Sequence, residues 1–71
     1  MVHKANQIAL FFMSYEHEEA VEGVRNHLRS FWEPRMRRQI IDYVEHEGGH
    51  GLHALAVEAV KRLAEAERQT A

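Results

Sequence analysis

Pro34 is the only proline in the 71-residue chain, and it falls between two amphipathic stretches. Proline lacks an amide donor and clashes with the turn before it, so no regular helix continues through it. The preceding residue avoids α geometry, which predicts an extended Glu33. Pro34 itself suits the first position of a new helix. Upstream, Ala20, Val21, Val24, Leu28 and Phe31 recur at i, i+3/i+4 spacing, with Trp32 continuing the seam. Downstream, Met36, Ile40, Tyr43 and Val44 do the same, with Ile41 widening the face. Two helices are therefore expected, over residues 17–31 and 34–47. Gly48-Gly49 should end the second in a left-handed cap.

The ends of the chain read the same way. Residues 3–14 hold a contiguous apolar run from Ile8 to Met13. Such a helix is apolar on most sides, and a helix of that kind needs cover on more than one face. Residues 52–68 place Leu52, Leu55, Ala56, Ala59, Val60 and Leu63 on one stripe, with Glu58, Lys61, Arg62 and Glu65 outside it. The alanines permit close helix approach, and Gln69-Thr70-Ala71 should fray. No strand alternation or hairpin turn is present. The expected fold is all-α, a small bundle or array of about four short helices forming a single domain over residues 1–71.

A chain of this size often needs a disulfide, a metal or another chain for stability. There is no cysteine, which removes disulfides and thiolate metal sites. Another chain covering the first helix, including self-association through it, would meet the need. The apolar run is too short to span a membrane and lacks a signal cleavage site. A cytoplasmic protein with no membrane partner is expected. The net charge of −2 gives no global attraction to nucleic acid. Locally, Arg25, Arg29, Arg35, Arg37 and Arg38 cluster with Glu33 as the one acid among them. Five arginines invite phosphate contacts, but no recognition-helix pattern accompanies them, and nucleic acid is not the expected partner.

His46-Glu47-Gly48-Gly49-His50 matches the H-E-x-x-H pattern of zinc proteases, with His53 as a third nearby nitrogen. That motif requires both histidines on one continuous helix. Two interior glycines cost a helix about 2 kcal/mol relative to alanine, and these sit where a helix should end. No metal, cofactor or catalytic residue is expected. There is no phosphate-binding glycine loop, and neither Ser14 nor Ser30 sits in a nucleophile motif. On the helical wheel Arg37 borders the apolar face of its helix. Arg35 and Arg38 point outward, and Arg38 is spaced to pair with Asp42. Trp32 is expected to pack on Leu28 and Met36 with an edge left for a partner, since Trp and Arg are frequent interface anchors.

The run Phe31-Trp32-Glu33-Pro34-Arg35-Met36-Arg37-Arg38-Gln39, preceded by Asn26-His27-Leu28-Arg29, resembles the delta subunit of soluble NAD-dependent, molybdenum-containing formate dehydrogenases. Ala5-Asn6-Gln7-Ile8 followed by Phe11-Phe12 is similar to that family's first helix, and Gly48-Gly49 with Gly51-Leu52 to its glycine turn. The likeness spans about residues 4–63. It implies a non-catalytic accessory subunit. In such enzymes the alpha subunit carries the molybdenum cofactor and iron-sulfur clusters, while beta and gamma subunits handle NAD and electrons. The implied partner is the catalytic alpha subunit, and the implied role is to support its assembly, stability or active form. Residues 26–39 become the candidate contact surface, with Trp32 and Arg37 as anchors and Arg35, Arg29 and His27 at the edge. A stand-alone self-associating or nucleic-acid-binding regulator is the alternative.

Overall fold

In the computed structural model, which describes residues 1–70 with the side chain of Thr70 excepted, four α-helices follow one another. They are α1 (Val2–Phe12), α2 (His17–Phe31), α3 (Pro34–Glu47) and α4 (Ala54–Thr70). No strand occurs among the described residues. The all-α architecture expected from the apolar spacing is the one observed.

Helix α4 is the hub, because α1, α2 and α3 all pack against it. Its stripe of Leu55, Ala56, Ala59, Val60, Leu63 and Ala64 is buried. The opposing surfaces are Ala20, Val21, Val24 and Leu28 of α2, Ala5 and Ala9 of α1, and Ile40 and Val44 of α3. The six largest fully buried side chains are all β-branched or leucine at seam spacing: Leu28, Ile40, Leu63, Val21, Val24 and Val60. Small residues bring the helices together, and branched ones fill the space between them. Burial of each branched side chain stabilises the fold by roughly 1.5–3 kcal/mol before entropy is counted.

Each helix boundary has a local cause. Helix α2 begins at His17 because Glu16 serves as its N-cap, its carboxylate accepting from the amides of Glu18 and Glu19. Glu18 and Glu19 in the first turn and Arg29 in the last suit the helix dipole. Helix α2 stops where Trp32 turns extended, and Glu33 is extended before Pro34 starts α3. Helix α3 ends at Gly48, with φ +81°, followed by Gly49 with φ +66°. The Gly48 amide donates to Val44 O and the Gly49 amide to Tyr43 O. Two successive left-handed residues are open to glycine at little cost.

Three boundary expectations need correction. Helix α1 starts at Val2 and ends at Phe12, leaving Met13 and Ser14 in a turn. Helix α4 starts at Ala54, not Leu52, because the His53 ring caps it: the Leu55 amide donates to His53 Nδ1 at 3.1 Å. At the far end α4 continues through Gln69 and Thr70, which were expected to fray. Ala71 lies outside the described residues. The α3–α4 turn is tied to α1 by one side chain. Asn6 Nδ2 donates to Gly51 O at 3.0 Å, and the His53 amide donates to Asn6 Oδ1 at 2.8 Å.

Gly23 sits mid-helix against the Phe12 ring, and an ideal Cβ there would lie 2.5 Å from the ring edge. The glycine is therefore a packing requirement that opposes helix propensity. Gly23→Ala in a Phe12→Leu background should gain about 1 kcal/mol of stability from propensity. In the wild-type background the same change should gain markedly less or lose. Urea denaturation of the four-protein cycle measures this, and additive effects would contradict the assignment.

Candidate interaction surface

The candidate contact residues lie at the α2–α3 corner, but they do not form one patch of equivalent side chains. Trp32 is only 8% exposed and belongs to the core. Its amide donates to Leu28 O, closing α2. Arg37 is half-buried and bonded within the protein. Its Nε donates to Glu67 Oε2 at 3.0 Å, and one terminal nitrogen donates to the carbonyls of Trp32 and Arg29. This guanidinium caps the last turn of α2 from the first turn of α3 and ties the corner to α4. Arg29 and Arg35 are exposed and have no side-chain partner among the described residues. His27 is half-buried, its ring 4.8 Å from that of Phe31 between centroids.

Phe31 is the residue that the apolar pattern misassigns. The seam reading placed it in the core beside Leu28, yet it is 74% exposed. Trp32 takes the inward place, because the chain turns extended there and swings the following side chain inward. Arg38 also departs from expectation. It forms no ion pair with Asp42, which instead lies 4.0 Å from His46.

The apolar run of α1 is covered on one side only. Ala5 and Ala9 are buried, and Ile8 and Phe12 pack partly on the core. Leu10, Phe11 and Met13 remain exposed, as does Tyr15 in the following loop. Between α1 and the C-terminal part of α2 lies an open groove of about 600 Å³, lined by Lys4, Gln7, Ile8, Phe11, Phe12, His27 and Trp32. Monomeric proteins seldom expose a contiguous apolar patch without a use for it.

Charge is sorted to a different face. Arg62 of α4 reaches both carboxylate oxygens of Glu18 at 2.8 Å, Glu22 at 3.2 Å and Glu58 at 3.0 Å. The outer face of α4 is thus partly an inter-helix bridge, and the expected Glu58–Arg62 pair is one arm of it. The hydrogen bond from Arg62 holds the Glu18 carboxyl below its ordinary 4.5. Arg25, and then Arg62, do the same for Glu22. The carboxylates in turn raise Arg62, and Glu45 raises Arg68. His17, Glu18 and Glu58 bring possible metal-ligand atoms within 4.8 Å of one another, but the guanidinium already occupies both oxygens of Glu18. The H-E-x-x-H stretch does not assemble as that motif requires. Gly48 and Gly49 end the helix between His46 and His50, the His50 carbonyl accepts from the Tyr43 hydroxyl, and His53 Nδ1 is used as a cap.

Two tests follow from these contacts. Arg37→Met should cost about 1–3 kcal/mol in urea denaturation, the range for charge-assisted hydrogen bonds, and a loss below about 0.5 kcal/mol would remove its role in fixing the corner. The second concerns pH. Because the folded-state values of Glu18 and Glu22 are lowered, their contribution is present above 4.5 and is lost as pH falls through the lowered values. Melting temperature should therefore drop between about pH 5 and pH 3, and Arg62→Met should flatten that acid limb. An unchanged limb would contradict the network's contribution.

No helix among the described residues is long and apolar enough to cross a membrane. No curated protein and no solved structure matches the chain. The sequence model of one family, the NADH-dependent formate dehydrogenase delta subunit FdsD, matches residues 1–60, which cover α1, α2, α3, the glycine turn and the start of α4. A match across that much of the chain, including both sides of the corner and the groove, means that this protein belongs to the FdsD family of formate dehydrogenase delta subunits.

Proposed function

We propose that this chain is a non-catalytic accessory subunit of an NADH-dependent formate dehydrogenase. It binds the catalytic alpha subunit and supports that subunit's assembly, stability or active form. The observation that carries this reading is the exposure of large apolar side chains in so small a protein, with Phe31 at 74% and Phe11 at 67%. A 71-residue chain has little core to draw on, and leaving these rings outside is a cost that a partner surface would recover. Family membership supplies the kind of complex in which that partner is found. The cytoplasm is the proposed compartment, in keeping with an enzyme that uses NADH.

Within this proposal the five corner residues, joined by Phe31, divide by role. Phe31, Arg29 and Arg35 meet the partner, with His27 at their edge. Trp32 and Arg37 anchor the contact by fixing its geometry, since the tryptophan packs inward and the guanidinium spans α2, α3 and α4. Aromatic and arginine side chains are the commonest sources of interface binding energy. Self-association through α1 is a second reading, favoured by the exposure of Leu10 and Met13.

Co-purification with the alpha subunit tests the proposal. Phe31→Ala and the double change Arg29→Glu/Arg35→Glu should each reduce recovery of the complex at least about tenfold, as loss of an interface anchor does. Circular dichroism should stay unchanged, because these side chains make few internal contacts. Undiminished recovery with both variants would overturn the contact surface. Sizing of the isolated protein as a stable dimer would favour the second reading.

A further inference from the structure

The groove between α1 and α2 has a defined chemistry. Lys4, Gln7, Ile8 and Phe11 follow i, i+3, i+4, i+7 spacing and present one stripe of α1. Phe12 and Trp32 complete an apolar floor, and His27 stands on the facing helix. Lys4 and Gln7 have no side-chain partner among the described residues, and no acidic residue lines the groove. The acids Glu18, Glu22 and Glu58 are instead gathered around Arg62. The groove is thus an apolar trough with one unpaired cation and one unpaired amide at its rim.

We infer that this groove receives an amphipathic helix of the partner subunit. A Leu, Ile or Phe side chain of that helix enters between Phe11 and Trp32, and an Asp or Glu about one turn away pairs with Lys4. The inference rests on the docking reading above and adds the chemistry of the occupant. A helix laid in a groove meets it through anchors one turn apart, the same spacing as the residues along this wall. The apolar floor supplies the driving force, and Lys4 sets register and charge preference. A small-molecule site would need polar groups converging inside an enclosed pocket. Here the polar groups stand at the rim of an open trough. A second copy of the chain fits poorly, because a two-fold contact sets each patch against itself. Lys4 would then face a surface with no carboxylate to receive it.

The test uses the full chain and the formate dehydrogenase complex prepared without it, with affinity followed by calorimetry across a salt series. Lys4→Glu should weaken binding roughly tenfold and flatten its salt dependence. Lys4→Arg, and Lys61→Glu on the exposed face of α4, should stay within about twofold. Phe11→Ala should weaken binding by about tenfold or more. So should Ile8→Trp, which fills the trough, and Phe11→Ala keeps the test decisive if Ile8→Trp fails to fold. Wild-type binding with both Lys4→Glu and Phe11→Ala unaffected would overturn the groove while leaving docking intact. Loss with Phe11→Ala but not with Lys4→Glu would overturn the acidic occupant. Failure of the wild-type chain to bind would overturn the docking reading itself. A dimer in solution that Phe11→Ala dissociates would make a second copy the occupant and overturn the inference.

Discussion

The structure depends on the small-residue face of α4. Three helices converge on Ala56, Ala59 and Ala64, while Leu55, Val60 and Leu63 fill what remains. Two consequences follow from serving three neighbours with one helix. The leucine and alanine stripe of α4 from Leu55 to Ala64 is already buried. Helix α1 and the C-terminal end of α2 keep large apolar side chains that have nothing to lie against. In a chain this short the core is finished before all of the apolar side chains have been placed. The exposed rings of Phe11 and Phe31 are what that limit leaves over.

The corner at Pro34 uses polar contacts in place of a larger core. Ending α2 leaves carbonyls without partners, and Pro34 has no amide to offer them. The Arg37 guanidinium answers two of them, at Arg29 and Trp32, while Glu67 of α4 balances its charge. The arginine cluster that looks in sequence like an anion site therefore splits. Arg25 and Arg37 hold the protein together, through Glu22 and Glu67. Arg29 and Arg35 are left outside with no charge to meet.

Much of this was legible beforehand because each signal was local. The proline junction, the extended Glu33, the glycine cap and the bounds of α2 and α3 all follow from backbone rules acting over a few residues. The buried face of α4 followed from its period. What periodicity could not assign was the last position of a seam. Phe31 and Trp32 both extend the α2 stripe, and which one turns inward depends on where the helix stops, a tertiary matter. The start of α4 escapes the pattern for a similar reason. The His53 cap is a ring nitrogen used where Ser or Asp is usual, and Asn6 reaches it from the other end of the chain.

The same reasoning limits what the corner can be. Trp32 is buried and Arg37 has internal partners, so a partner that displaced either would leave a helix end uncapped or open the core. Leaving buried polar groups unpaired costs more than most single contacts return. A contact that keeps the fold intact has to use side chains already outside: Phe31, Phe11, Arg29, Arg35 and the rim of the groove. The Trp32 ring lines the trough on one side and belongs to the core on the other. The tryptophan thus couples the surface to the interior. A change at the docking face that moved its ring would also loosen the seam on which α2 and α4 meet.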